Sequence, residues 1–336
     1  MKLSLTYNDV SISPKILSTI ESRDLVSTED DFLGIKYSLP VMAAPMRTVT
    51  GDRMARKLKS LGCLSVMARS SDNEADLLEY LAAGTASTIP SVAATGDYLE
   101  RAKRYWNSGA TIICIDTANG FHLVVKTAIR ELKKLGFQVI AGNVGSVEGF
   151  KFLRDAGADA VRVGIGNGSV CSTSIATGVG VGQVTLLMEI MEYCDTLNKN
   201  VPLVIADGGI KEPGDVCKAL LLGVDVVMVG NLFAGTEEAP GSLRKDSNGN
   251  LCKLFAGEAS RSSKGENSKY VEGVSTLIPY KGSVEEIVKE LSDGLKSSMA
   301  YMNCRNLGEF RCLRQDYLVQ LSQSARMERS PHALSR

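Results

Sequence analysis

A (β/α)8 barrel is the fold class that the sequence predicts, and three observations predict it. Eight short apolar runs, rich in β-branched residues, recur along the 336 residues. Continuous apolar runs of that length suit strands buried on both faces. Between most of them lie helix-length segments that end in glycine, a common helix stop. Finally, strand and helix alternate regularly, which implies a parallel sheet with right-handed crossovers. Eight such units suggest closure more than an open sheet. Length alone allows about two domains, and a barrel of typically about 250 residues with insertions fits equally well.

The predicted strands are 40–44 (PVMAA), 63–67 (CLSVM), 89–93 (IPSVA), 111–115 (TIICI), 138–141 (QVIA), 160–163 (AVRV), 203–206 (LVIA) and 225–229 (DVVMV). The clearest helices are 98–109, 125–136, 147–157 and 213–223, each closing on glycine. Segment 164–182, GIGNGSVCSTSIATGVGVG, is too long and glycine-rich for a plain strand-to-helix connection, and long loops are often functional. A second irregular stretch runs from about 235 to 282. Within it, 241–251 reads as an exposed hairpin around an Asn-Gly turn. Residues 258–270 are polar and serine-rich, as suits a mobile flap. A helix follows at 283–302. The whole is an α/β, TIM-type barrel domain over 1–322, with a flap at about 241–275 and a flexible tail at 323–336.

Composition narrows the function. Thirty-eight Lys+Arg against 38 Asp+Glu give zero formal net charge. That removes the main electrostatic argument for non-specific binding to nucleic acid or anionic membranes. The two histidines, His122 and His332, argue against a multi-histidine metal site. Eight cysteines are scattered without any C-x-x-C pair, as suits buried thiols in a reducing compartment. The N-terminus MKLSLTYNDV has no apolar signal-peptide core, and no apolar run reaches about 18 residues. The expectation is a cytoplasmic protein with no membrane partner.

In a barrel of this kind the chemistry lies in the loops after the strands. Those loops are loaded with Gly, Asp, Asn and Ser: PMRTVTG, ARSSD, ATGD, DTANG, GNVG, GIGNGSVC, DGGI and GNLFAG. Glycines after the seventh and eighth strands let backbone N–H groups approach an anion. Cys171, in a polar loop near backbone amides, is a candidate nucleophile.

These motifs, in this order, resemble the inosine-monophosphate dehydrogenase/GMP reductase family. LTYNDVSISP, APMRTVT, IDTANG, AGNV, GIGNGSVCST, ADGGI, VGNLFAGTEEAPG, PYKG and LKSSM carry the resemblance over nearly the whole chain. The resemblance implies that Cys171 attacks C2 of a purine nucleoside monophosphate to form a thioimidate. It implies that Asp207 binds the ribose hydroxyls. Ser169, Gly208, Gly209, Gly230 and Asn231 would cradle the phosphate, and Gly257 and Glu258 would meet the base edge. Asp116, Thr117, Ala118, Asn119 and Gly120 would face the nicotinamide cofactor. Carbonyls of Gly166, Gly168 and Cys171 would hold a potassium ion, and the assembly would be a homotetramer.

Within the family, the reductase converts GMP to IMP and ammonia with NADPH, and the dehydrogenase oxidises IMP to XMP with NAD. MARSSDNEADLLEYL runs directly into the third unit, so the CBS-domain pair common in the dehydrogenase is absent. No Arg-Tyr pair lies between Ser260 and Glu272. Thr173 and Glu272 match the pair that protonates ammonia in the reductase, and IDTANG is nearer its DVANG. PYKG and LKSSM lean towards the dehydrogenase, the alternative reading. The chain departs from the family's pattern at Ala44, Arg47, Ala68, Arg69, Asn167, Ser174 and Asn231. Arg47 and Arg69 are suited to the 2′-phosphate that distinguishes NADPH.

Overall fold

The computed structural model describes residues 3–69, 74–84, 87–257 and 274–328. Its largest sheet contains the eight predicted strands: β1 (Val41–Ala43), β2 (Leu64–Val66), β3 (Thr88–Ile89 and Ser91–Val92), β4 (Ile112–Asp116), β5 (Gln138–Val144), β6 (Ala160–Val163), β7 (Leu203–Asp207) and β8 (Val226–Val229). Every pairing is parallel, and β8 pairs with β1. The sheet returns on itself through β3. Its first piece pairs with β2 and its second with β4, so one broken strand serves both neighbours. The break falls at Pro90, which has no N–H to donate but whose carbonyl accepts from Cys114 N–H at 2.9 Å. Val41, Val66, Ile113, Val161 and Val227 have no exposed surface, as expected for strands covered on both faces.

Helices α1 (Asp52–Ser60), α2 (Glu74–Ala82), α3 (Tyr98–Asn107), α4 (Leu123–Lys134), α5 (Val147–Ala156), α6 (Gln183–Asp195), α7 (Pro213–Leu221) and α8 (Val284–Tyr301) follow the eight strands in turn. Sequence dictates their ends. Ser146 caps α5 by accepting from Gly149 N–H at 3.1 Å, and Gly157 stops it with φ of 103°. Ser283 likewise caps α8. The connection between β2 and β3 runs from residue 67 to residue 87 and holds α2, so it has no room for an inserted domain.

Strand β5 runs three residues beyond the predicted 138–141, into the segment expected to be loop. Gly142 is the reason: it pairs with both Asp116 and Arg162, and a Cβ there would sit 2.6 Å from the Arg162 Cβ. Glycine therefore lets the ladder continue beside a large side chain.

Two further pieces close the N-terminal side. Val10–Ile12 pairs with Leu318–Gln320. The hairpin Asp30–Phe32/Ile35–Tyr37 buries Phe32, Ile35 and Tyr37. Arg311 locks that hairpin to the start of β8, reaching Asp30 Oδ2 at 2.5 Å, Tyr37 Oη at 3.0 Å and the Asp225 carbonyl at 2.6 Å.

After β8 come β9 (Arg244–Lys245), β10 (Leu251–Ala256) and β11 (Ser275–Pro279), an antiparallel sheet. The β9–β10 hairpin is the one expected at 241–251. Asp246 Oδ1 accepts from Asn248 and Asn250 N–H, and Gly249 takes φ of 83°. The serine-rich part of the expected flap, 258–270, lies outside the described residues. The expected tail begins as a helix, Gln323–Glu328, in which Arg326 pairs with Asp9 at 2.7 Å. No helix among the described residues is long and apolar enough to cross a membrane.

Candidate active site

The strand ends gather around one cavity of about 300 Å³ at the C-terminal face of the barrel. Its organising element is Arg162, in the middle of β6 and 5% exposed. Burial works against the charge on this guanidinium, but Asp207 and Asp116 overcome it and hold its pKa well above the ordinary value. Nη1 lies 2.6 Å from Asp116 Oδ1, at the end of β4. Nη2 lies 2.8 Å from Asp207 Oδ2, at the end of β7. Asn143 Nδ2 also donates to Asp207 Oδ2, at 2.7 Å, and to the Gly164 carbonyl at 2.9 Å. Arg162 and Asn143 therefore converge on Oδ2, and among the described residues Oδ1 stays open towards the cavity. An arginine fork suits this two-carboxylate bridge better than a lysine would.

The long loop after β6 brings the thiol in. Cys171 Sγ donates to Thr173 Oγ1 at 3.2 Å, and Cys171 N–H donates to the Gly168 carbonyl at 3.0 Å. A short helix, Thr173–Thr177, follows and ends on Gly178 with φ of 73°. At Gly164 the glycine is required twice over. Its φ is 143°, and a Cβ would sit 2.1 Å from the Asp207 carbonyl oxygen. Gly164→Ala is expected to cost about 1–3 kcal/mol of stability through this overlap, read by denaturant unfolding, and to weaken ligand binding at Asp207.

Cys171 also differs from the other thiols in its surroundings. Burial pushes Cys63, Cys114 and Cys194 up to about 12, and Cys217 and Cys304 up to about 11. Cys252 is buried, Cys312 exposed and Cys171 half-buried in the cavity wall. Iodoacetamide is therefore expected to label Cys171 and Cys312 first, since these are the two thiols that are not buried. Peptide mass mapping checks this, and nucleotide should shield Cys171 alone.

Most residues singled out in the sequence meet here. Asp116, Thr117, Ala118, Gly166, Gly168, Ser169, Cys171, Thr173, Asp207, Gly208, Gly209, Gly230, Asn231 and Gly257 all line the cavity. Asn119 and Gly120 are not among its lining residues. They shape the loop after β4, where Asn119 Oδ1 accepts from Phe121 N–H and Gly120 N–H donates to the Asn143 carbonyl. Glu258 and Glu272 lie outside the described residues. Of the two arginines, Arg69 reaches this cavity and sits 3.6 Å from Asp116 Oδ2. Arg47 lines a neighbouring cavity with Arg53 and Lys253. Arg162 and Asn143 were not anticipated. The sign was there for Arg162: AVRV places a charge inside an otherwise apolar strand.

Fold and cavity together define a (β/α)8 barrel that presents a half-buried free thiol and an oriented carboxylate at its strand ends. The chain belongs to the IMP dehydrogenase / GMP reductase domain family, whose model matches residues 4–332. It is 37% identical over 321 residues to a GMP reductase of Lactococcus lactis subsp. cremoris, covering 93% of this chain and 94% of that one. A GMP reductase of Bacillus licheniformis is 36% identical over 320 residues, at 93% and 95% coverage. An inosine-5'-monophosphate dehydrogenase of Borreliella burgdorferi is 30% identical over 399 residues, at 98% and 97% coverage.

Proposed function

We propose that this protein is an NADPH-dependent GMP reductase, and the observation that carries the reading is the Cys171–Thr173 contact in the cavity that holds Asp207. Asp207 Oδ1 receives the ribose hydroxyls, while Arg162 and Asn143 keep the other oxygen fixed. Backbone amides of Gly208, Gly209, Gly230 and Asn231, with the Ser169 hydroxyl, receive the 5′-phosphate. Gly257 and Glu258 meet the base edge. Cys171 Sγ attacks C2; the C2–N bond breaks and the amine leaves as ammonia, protonated through Thr173 and Glu272.

The cavity suits a cofactor on the side of Asp116, Thr117 and Ala118. There the Arg69 Nε is buried 3.6 Å from Asp116 Oδ2, within ion-pair reach but beyond hydrogen-bond length. A buried donor held short of a hydrogen bond is a feature that a polar ligand relieves. The hydride for C2 would be supplied by NADPH held on this side of the cavity, and Cys171 would then be released from C2 as the thiolate. Asn119 and Gly120 support that loop, and the neighbouring cavity that holds Arg47 with Arg53 and Lys253 offers positive charge to a 2′-phosphate. Neutral carbonyls of Gly166, Gly168 and Cys171 are the donor type that a potassium ion takes.

The working form in this reading is a cytoplasmic homotetramer. Each subunit is one barrel domain over 1–322, with its flap at about 241–275 and its tail from 323. GMP with NADPH should yield NADP, ammonia and IMP, followed by cofactor absorbance and product chromatography. No turnover of GMP would remove the reading. The alternative, oxidation of IMP with NAD, is supported by the near-complete overlap with the Borreliella relative. XMP formation from IMP and NAD would establish it instead.

A further inference from the structure

Lys281, in the PYKG segment, carries an inference about the phosphate end of the cavity. It rests on the reading above that the loop after β8 receives the nucleotide's phosphate. That loop makes a helical turn, in which Ala234 N–H donates to the Gly230 carbonyl at 2.9 Å. Its start lines the cavity through Gly230 and Asn231. Lys281 lies on the carbonyl side of the same turn. Its Nζ donates to the Asn231 carbonyl at 2.5 Å and to the Leu232 carbonyl at 3.3 Å.

The lysine is brought there by the strand that returns from the flap. Just past β11, Lys281 N–H donates to the Gly235 carbonyl at 3.0 Å, and Glu237 N–H donates to the Gly282 carbonyl at 2.8 Å. Two backbone bonds thus clamp this corner to the turn, and the lysine's position follows from that clamp. Lys281 is not among the residues that line the cavity, so it touches the turn rather than the ligand.

A planar trans peptide points its C=O and N–H in opposite directions. Holding the Asn231 and Leu232 carbonyls therefore fixes the N–H groups of Leu232 and Phe233, which aim back towards the start of the turn. A cation at the carbonyl end also polarises these peptides, making their N–H groups better donors. The ammonium is partly desolvated, which draws its pKa below the ordinary lysine value. Among the described residues no carboxylate lies within ion-pair distance of it. The ammonium is held, among the described residues, by these two carbonyls, and an anion on the far side of the turn would supply a counter-charge.

We propose that Lys281 is a positioning residue for the phosphate subsite, acting through the peptides of the turn after β8. It fixes the peptides that directly follow Gly230 and Asn231, the turn's two cavity-lining residues, and supplies positive charge behind them that the 5′-phosphate balances. Through it the end of β11, and so the return from the flap, is tied to occupancy of the phosphate site.

The test is calorimetric titration of the full chain with GMP, guanosine and inorganic phosphate, on wild type, Lys281→Met and Lys281→Arg. Lys281→Met should weaken GMP and phosphate at least tenfold and leave guanosine within twofold. Lys281→Arg should recover GMP to within threefold of wild type. In steady state the loss should fall on KM, with kcat within threefold. Equal weakening of GMP and guanosine, or no weakening of GMP, would overturn the proposal. Should Lys281→Met not fold, Lys281→Gln, which keeps a donor and loses the charge, carries the same comparison. Because titration needs no turnover, absence of activity with GMP would count against the reductase reading alone.

Discussion

Cys171→Ala lowers GMP turnover by at least about a thousandfold, a loss of roughly 4 kcal/mol of transition-state stabilisation at 1.36 kcal/mol per tenfold. No other group can take the thiol's place. Cys114, the thiol nearest the cavity's charged floor, contacts Arg162 Nη1 at 3.8 Å but is wholly buried, and its pKa is pushed up to about 12. Thr173, two residues on, offers a hydroxyl, a far weaker nucleophile than a thiol. Binding should change little, because the ribose carboxylate and the phosphate turns are untouched. The measurement is kcat by cofactor absorbance alongside Kd by calorimetry. A variant that keeps more than about a tenth of wild-type kcat would show that the thiol does not form the covalent bond.

Arg162→Met should lower stability by about 3 kcal/mol, since it removes the cation shared by two mostly buried carboxylates and leaves Asp116 only the longer pairing to Arg69. Asp116 and Asp207 have side chains 12% and 14% exposed, so water screens them poorly. For a chain of this size the loss corresponds to a fall in Tm on the order of ten degrees, read by thermal unfolding. Nucleotide binding should weaken as well, because Asp207 Oδ2 would keep only Asn143. Arg162→Lys should be intermediate, since one ammonium cannot grip both carboxylates with a fork. A melting point within two degrees of wild type for Arg162→Met would contradict this account.

The barrel was legible because its strands are buried on both faces, which writes an apolar run directly into the sequence. Pro90, visible inside the third run, marks the break where one strand is shared by two neighbours. Helix α1 was harder to see. DRMARKLKS buries only Met54, Ala55 and Leu58, so charges dominate its composition. The pairing of Val10–Ile12 with Leu318–Gln320 was illegible for another reason. Both strands are three residues long, and their partners lie some 300 residues apart. No local pattern encodes such a contact.

The site was legible where glycines and acids end strands, as at Asp116, Gly164 and Asp207. It was not legible at Asn143, which reads as a loop residue until Gly142 extends β5 past it. Lys281 was hidden for a similar reason, since its role depends on a clamp between two loops rather than on its own motif. Arg47 and Arg69 look alike in sequence, but only Arg69 enters the main cavity.

The central claim is that Cys171 becomes bonded to C2 of the purine as ammonia departs. Mixing the protein with GMP in the absence of NADPH, quenching in acid and mapping peptides by mass tests it directly. The account predicts an adduct on the Cys171 peptide equal to GMP less ammonia, with ammonia released in proportion. An unmodified Cys171 with no ammonia released, or an adduct that forms only from IMP with NAD, would contradict it.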